Sequence, residues 1–280
     1  MKNGILYFNT GRSCLIRLIV SLYTLRQHYK GVAALIYTDK IEPEYSSIIK
    51  EFNLELIKGE EASIGKNKTL LEKCLLYKKT PFENSIFLDA DTIVFSDPSE
   101  LFDLAFTNEF VVTRFSNWLV RGLIAERVLA WKEIFPEQVK IILEKEGPAF
   151  NTGVFAFNKQ SKFCKEWYKF ALQGRTTYIP DEISCQMFLL HYPHIIVEDS
   201  FNASCKYPNP SGVIKIMHFH GKKHCRFNEQ GKPINNSDLW LKYLKLCYQA
   251  NISNIKSLKF KEDKMLQRYE NQVLSFLGKI

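Results

Sequence analysis

The sequence predicts an α/β fold, a single domain whose mostly parallel central sheet is flanked by helices, and three observations carry that prediction. Strand-like and helix-like stretches alternate from the first residues onward, the order that builds parallel sheets covered on both faces. An apolar run, Ser85-Ile86-Phe87-Leu88, ends in Asp89-Ala90-Asp91, as a buried strand does when it delivers charge to its carboxyl end. The 280 residues, 46% hydrophobic and 14% aromatic, suffice to bury one large core.

Taken in order, Gly4 to Phe8 (GILYF) reads as the first strand, followed by the small polar loop Asn9-Thr10-Gly11-Arg12-Ser13 and an apolar helix to about His28. Val32 to Tyr37 is a second strand, Tyr45 to Phe52 a helix and Leu54 to Ile57 a third strand. Lys66 to Thr80 reads as one helix, with Leu70, Leu71, Cys74, Leu75 and Leu76 on its apolar face and its lysines mostly solvated, one of them able to reach a phosphate if the helix packs beside the Asp89-Ala90-Asp91 turn. After the strand at Ser85, Thr92 to Phe95 continues the apolar pattern to the turn Ser96-Asp97-Pro98. Phe110 to Phe115 reads as a strand, Leu119 to Lys145 as mainly helical, and Pro148 to Asn158 as a strand introduced by Asn151-Thr152-Gly153. Pro180-Asp181-Glu182 opens an apolar helix, where Asp181 reads as an N-cap unless it binds something. Ile214 to His220 is a last strand, ending in His218, His220, Gly221 and Lys222. Residues 1–240 form the expected domain, and residues 241–280 a basic helical segment packed on it or lying at a membrane surface.

The chemistry concentrates at Asp89 and Asp91. Two carboxylates one residue apart at a strand end point the same way and repel each other unless a cation lies between them. Oxygen ligands of this kind suit magnesium or manganese, which commonly join carboxylates to the phosphates of a substrate. Ligands of parallel sheets gather at the carboxyl edge, and the Asn9 to Ser13 loop would lie there as well. Such a loop opening a helix either offers N–H groups to a nucleotide phosphate or serves as a plain N-cap. The His218-Phe219-His220-Gly221-Lys222 cluster, at another strand end, is a candidate for a third metal ligand with phosphate contacts.

The net charge of +8 fits an anionic partner, although no helix-turn-helix, zinc-finger or RNA-binding pattern accompanies it, so no nucleic acid is expected. Seven scattered cysteines, never spaced Cys-x-x-Cys, indicate neither a zinc site nor a disulfide framework, and fit a cytoplasmic protein. No signal peptide or transmembrane stretch is read, which leaves peripheral membrane contact through the C-terminal segment as the membrane option.

In this order the motifs resemble those of the GT-A nucleotide-sugar transferases, a Rossmann-like fold, and specifically glycosyltransferase family 8, which includes glycogenin and bacterial lipooligosaccharide galactosyltransferases. FLDADT (Phe87 to Thr92), AFNTGVFAFN (Ala149 to Asn158) and MHFHG (Met217 to Gly221) carry the resemblance, which extends from about Ile5 to His224. It implies a UDP-sugar donor, Mn2+ or Mg2+, and transfer of glucose or galactose, with retention, to a carbohydrate, lipid-linked glycan or protein acceptor. It further implies Asp89, Asp91 and His218 as metal ligands, and Asn9, Thr10, Arg12, Lys73, Asp89, Ala90, Gly221 and Lys222 beside the nucleotide donor. Asn151, Asp181 and Glu182 would face the transferred sugar or the reaction, and residues from Ser116 to Glu146 would cover the acceptor. Two departures stand out. Gly221 is followed by Lys222-Lys223-His224 rather than Lys-Pro-Trp, so the lysine on the diphosphate is Lys222, the residue placed beside the donor, or Lys223, or is replaced, and the first loop lacks the acidic residues that often lie near the base.

Two other readings compete. A haloacid-dehalogenase-like phosphatase also uses Asp-x-Asp after an apolar strand, but its pair normally opens the domain and is followed by Thr or Val where this chain has Ile93. A non-enzymatic nucleic-acid or lipid-surface binder would rest on charge and on the lysine-rich tail alone.

Overall fold

The computed structural model describes residues 2–38, 40–62, 67–145, 147–206, 212–221 and 223–278, excepting the side chains of residues 116–118. Strand β1 (Asn3–Asn9) leads through a 3-10 turn into α1 (Leu15–His28), and β2 (Ala33–Tyr37), α2 (Tyr45–Phe52) and β3 (Leu54–Lys58) repeat the unit. These agree with the alternation read from the sequence. The expected single helix over Lys66 to Thr80 is instead two short ones among the described residues, α3 (Lys68–Lys73) and α4 (Leu76–Lys79). Lys73, the lysine expected beside the donor, closes α3 and is 6% exposed; Lys66 lies outside the described residues.

Then follow β4 (Asn84–Leu88), β5 (Thr92–Val94), α5 (Glu100–Asn108), β6 (Phe110–Leu119), α6 (Leu123–Leu129), α7 (Pro136–Lys145) and β7 (Pro148–Asn158). The chain continues through α8 (Lys162–Gln173), α9 (Pro180–Phe188), β8 (Ile195–Val197), β9 (Ala203–Ser204), β10 (Ile216–His218) and α10 (Ser237–Gln249). Short turns then lead to α11 (Lys264–Arg268) and α12 (Glu270–Leu277). The last strand is shorter than the Ile214 to His220 run predicted for it.

The central sheet has the order β3-β2-β1-β4-β7-β6-β8, and a small sheet, β5-β10-β9, stands beside it. Within the central sheet pairing is parallel except at β7, which runs antiparallel to both β4 and β6; in the small sheet β10 runs antiparallel to β5 and parallel to β9. Side chains alternate across the central strands, so Ile5, Tyr7, Leu35, Ile86 and Leu88 enter one core layer, while Leu6, Phe8, Ala34, Ile36 and Phe87 enter the other. The first layer is covered by α1, α2 and α10, and it also receives Ile255, Phe260, Met265, Leu266, Val273 and Leu277 from the C-terminal segment. The second is covered by Leu71 of α3, Phe163 and Trp167 of α8 and Ile183 of α9.

The pairings, more than any helix, assemble the site. The β4–β7 register sets Leu88 opposite Val154, which puts Asp89 beside Gly153, and the Asp89 N–H donates to the Gly153 carbonyl at 2.8 Å. The β5–β10 register sets His218 opposite Thr92, next to Asp91.

Candidate active site

Among the described residues Asp89, Asp91 and His218 bring one ligand atom each to within 4.8 Å of one another. His218 Nε2 lies 3.2 Å from Asp91 Oδ1 and 3.6 Å from Asp89 Oδ2. The other ring nitrogen faces two amide oxygens, Asn151 Oδ1 at 3.1 Å and Asn202 Oδ1 at 3.0 Å. The amide orientations are fixed independently: Asn151 Nδ2 donates to Glu182 Oε2 at 2.9 Å, and Asn202 Nδ2 donates to Thr113 Oγ1 at 2.8 Å. Two acceptors require the proton on Nδ1, so in the neutral tautomer the lone pair is on Nε2, the nitrogen that faces the carboxylates. This is the arrangement by which proteins orient a metal-ligating histidine.

Glycine 153 makes room for the ring. A Cβ there would stand 2.1 Å from His218 Cε1, so only glycine lets the imidazole lie against β7. That is the local meaning of the Asn-Thr-Gly triplet. Thr92 Oγ1 donates to the Asp89 carbonyl at 2.8 Å and pairs with Ser21 Oγ at 2.8 Å, which ties the turn between the aspartates to α1.

Lys73 Nζ sits between carboxylates, 3.1 Å from Asp89 Oδ1 and 3.6 Å from Asp181 Oδ2, and donates to the Thr152 carbonyl at 3.0 Å. Asp181 does not cap its helix; α9 begins from Ile179, a β-branched residue at φ 44, and no side chain caps it. Such a conformation is costly and tends to be kept at functional sites. Asp181 Oδ2 accepts from Thr152 Oγ1 at 2.9 Å, whereas its buried Oδ1 has no hydrogen-bond partner among the described residues.

Electrostatics follow from crowding. Burial raises the Asp89 carboxyl above its ordinary value, with Lys73 and His218 opposing. Burial pushes Asp91 the same way but is outweighed by His218, then Arg17, so that its carboxyl is held below the usual range. Burial and the neighbouring Asp181 push Glu182 up to about 7, and burial with His218 and Lys223 pushes His220 down to about 3. Asp89, Asp91, Asp181 and Glu182 all line one cavity of about 380 Å³, in which Lys73 is the cation among the described lining residues. Asp89, Asp91 and Asp181, with the raised Glu182 carboxyl beside them, outnumber Lys73 and the Arg17 guanidinium that reaches Asp91, and a divalent cation would balance the excess negative charge. The donor set of two carboxylates and one imidazole fits a divalent metal ion.

An adjoining chamber of about 250 Å³ shares Asn151, Tyr178, Ile179, Glu182, His220 and Gly221 with the first. Leu123 and Arg127 from α6 line it, and they belong to the segment expected over the acceptor. Arg127 lies 3.9 Å from Glu182 Oε1 and stacks on Tyr178 at 4.8 Å.

Of the residues singled out by sequence, Lys73, Asp89, Asp91, Asn151, Asp181, Glu182, His218 and Gly221 line the inner cavity together. Ala90, in the turn, packs against the first core layer. Asn9 donates to Tyr45 Oη at 2.8 Å, and Thr10 Oγ1 lies 3.4 Å from Thr69 Oγ1. Arg12 is held by Glu42, Glu44 and Glu262, with Glu262 Oε1 at 2.9 Å, and none of Asn9, Thr10 and Arg12 lines either chamber. Lys222 lies outside the described residues; Lys223 donates to the His220 carbonyl at 3.1 Å. Sequence reasoning missed Asn202 and Arg17, which belong to no recognisable spacing; Thr152 lay in the Asn-Thr-Gly triplet and Arg127 in the segment expected over the acceptor, neither given a role of its own.

The Rhodobacterales glycosyltransferase domain matches residues 18–189. The chain belongs to that family. It is a glycosyltransferase, and the phosphatase and non-enzymatic readings fall away. The fold agrees: galactosyltransferase LgtC, in complex with donor and acceptor sugar analogs, superposes with a TM-score of 0.62 at 13% identity, over 86% of this chain and 95% of that one. Mouse xyloside xylosyltransferase 1 gives 0.57 at 15% identity, over 79% and 99%. The glycosyltransferase GlyE of Streptococcus pneumoniae TIGR4 gives 0.61 at 16%, over 92% and 64%. No curated protein sequence matches the chain. The fold is therefore GT-A, as the motifs implied. Among the described residues no helix of this glycosyltransferase is long and apolar enough to cross a membrane, and its seven cysteines are free.

Proposed function

We propose that this glycosyltransferase moves a hexose, glucose or galactose, from a UDP-sugar to an acceptor hydroxyl with retention at the anomeric carbon, using Mn2+ or Mg2+ held by Asp89, Asp91 and His218. The observation that carries this reading is the convergence of the two carboxylates on a histidine whose Nδ1 is committed to Asn151 and Asn202. The bound cation supplies electrostatic stabilisation of the charge that grows on the departing diphosphate.

The protein's own groups divide the remaining work. Lys73, buried between Asp89 and Asp181, holds both carboxylates in place and keeps positive charge at the donor. Asp181 offers its unpartnered Oδ1 to a sugar hydroxyl. Asn151 joins the metal side to the reaction side, because its amide oxygen accepts toward His218 while its nitrogen donates to Glu182. Glu182 faces the junction of the two chambers, where the anomeric carbon of a donor bound at the metal would meet an acceptor entering past Arg127 and Tyr178. With its carboxyl pushed up to about 7, Glu182 is about half ionised at neutral pH, so retention is compatible both with attack on the face the diphosphate leaves and with a covalent Glu182 intermediate. A carbohydrate, lipid-linked glycan or protein hydroxyl would be the acceptor, and Lys222 a contact of the diphosphate. Residues 241–280 are proposed to act with the domain as a docked segment, with peripheral membrane contact as a further role.

The test is nucleotide release from a panel of UDP-, GDP- and CMP-sugars in Mn2+, with and without EDTA. Slow release from one UDP-hexose, abolished by EDTA and lost in Asp91→Asn and His218→Ala variants that still fold, is expected. Release that survives EDTA would overturn the metal assignment, and release from GDP- or CMP-sugars alone would overturn the donor.

A further inference from the structure

Residues near the end of the chain reach the metal cluster through one buried arginine. Glu262 and Asp263 are adjacent, and each holds an arginine that follows β1: Glu262 Oε1 lies 2.9 Å from Arg12 Nε, and Asp263 Oδ2 lies 2.9 Å from Arg17 Nε. The second pair is the buried one, its side chains 13% and 5% exposed. Arg17 continues toward the cluster, with Nη1 3.7 Å from Asp91 Oδ2. The Asp91 carboxylate is thus shared: Oδ2 faces Arg17, and Oδ1 faces His218 Nε2 at 3.2 Å.

Asp263 is itself firmly placed. Its Oδ1 accepts the N–H groups of Met265 at 2.9 Å and Leu266 at 3.3 Å, capping α11. Its Oδ2 lies 3.3 Å from Nε2 of His224, a fully buried ring packed on Trp240 with centroids 4.8 Å apart. An arginine next to a metal ligand competes for it, since a guanidinium readily takes both oxygens of a carboxylate. Here the competitor is drawn off by a second carboxylate at shorter distance, while its Nη2 donates to the Ser13 carbonyl and to Cys14 Sγ, each at 3.1 Å.

We propose that Asp263 is a positioning residue for the metal site: it holds Arg17 to the outer oxygen of Asp91 and so leaves Oδ1 available to the cation. This rests on the metal reading of Asp89, Asp91 and His218. Because the same carboxylate caps α11, docking of the C-terminal segment and cation binding strengthen each other, a reciprocity that follows from linkage. Nothing in the sequence spacing joins position 17 to position 263; the contact exists only in the fold.

The test is titration of the metal-free full chain with Mn2+, read by the electron paramagnetic resonance signal of the free ion, alongside thermal melts. Asp263→Asn keeps a helix-capping oxygen and removes the charge, so Arg17 turns onto Asp91 and the Mn2+ affinity falls about tenfold or more, as losing a supporting partner of a metal ligand commonly does. Arg17→Met combined with Asp263→Asn removes the competitor as well and returns the affinity to within about threefold of the native value. Glu262→Gln, which loosens the neighbouring Arg12 contact, leaves Mn2+ binding unchanged. Native affinity in Asp263→Asn, no recovery in the double variant, or an equal loss in Glu262→Gln would each overturn the proposal. Should Asp263→Asn fail to fold, Arg17→Met alone decides: affinity equal to or tighter than native supports the proposal, and a tenfold loss refutes it. A native protein that binds no Mn2+ would instead overturn the reading of the cluster.

Discussion

Gly153→Ala separates the packing of the candidate ligand histidine from its chemistry. A methyl at this position would stand 2.1 Å from His218 Cε1, 2.3 Å from its Nδ1 and 2.9 Å from Asn151 Oδ1. Gly153 is outside the left-handed region, so the backbone itself accepts alanine and the clash alone is tested. Neither side can retreat easily. The ring is 4% exposed and tied to Asn151 and Asn202, and the strand is tied to Asp89 through the Gly153 carbonyl at 2.8 Å. Relief comes from rotating the imidazole away from Asp89 and Asp91. Overpacking of this kind costs about 1–3 kcal/mol, and the misdirected ligand should weaken Mn2+ binding by about 10–100-fold or more. Denaturant melts and Mn2+ titrations of the native protein, Gly153→Ala, His218→Ala and the double variant measure both effects. In the double variant the methyl occupies space the ring has left, so the stability losses should fall short of additivity by about 1–3 kcal/mol while metal affinity stays low. Native Mn2+ affinity in Gly153→Ala, or strictly additive losses, would refute the reasoning.

Lys73→Met leaves Asp89 and Asp181 without the ammonium between them, and breaking a buried ion pair from one side costs about 3–5 kcal/mol. The loss should be larger in EDTA than in Mn2+, because the cation compensates part of the charge; equal losses in urea melts would sink the idea. Glu182 titrates at about 7 in place of its ordinary 4.5. A raised folded-state value favours the protonated acid, so metal-free protein loses stability as pH rises from about 4.5 through about 7, and Glu182→Gln removes that loss. Above this window the variant should be the more stable by up to about 3 kcal/mol, and identical pH dependence of the urea midpoints would count against it.

How much of this was legible beforehand differs between the fold and the site. The α/β class and the first three strands were readable because short apolar runs, buried on both faces in β1 and β2, alternate with longer apolar helical stretches. The helix over Lys66 to Thr80 is broken at Cys74, which its lysine-rich amphipathic pattern does not signal; Lys73 itself was singled out through the resemblance, whereas its two carboxylate partners, distant in sequence, are set by the fold. Helix α8 drew no notice despite a Ser161 cap that accepts from the Cys164 N–H at 3.3 Å.

The cluster was legible for a physical reason: each of its members stands at or beside a strand end, where the apolar pattern breaks against charge or glycine. Asp89 and Asp91 flank the turn between β4 and β5, Gly153 lies where β7 begins to pair with β4, and His218 closes β10. What escaped notice supports the cluster from behind. Asn202 follows a 3-10 turn and looks like any loop asparagine, yet its amide group receives His218 Nδ1 and holds Asn151 at 2.9 Å. Arg17 interrupts an apolar helix, which by itself reads as a solvent-facing position, and its partner Asp263 reads as an ordinary cap. A side chain's local pattern reports whether it is buried and in what kind of element. Which charge neutralises it is decided by β-sheet register and by the docking of distant segments, so the groups that orient a site stay hidden in the sequence even where the groups that form it stand out.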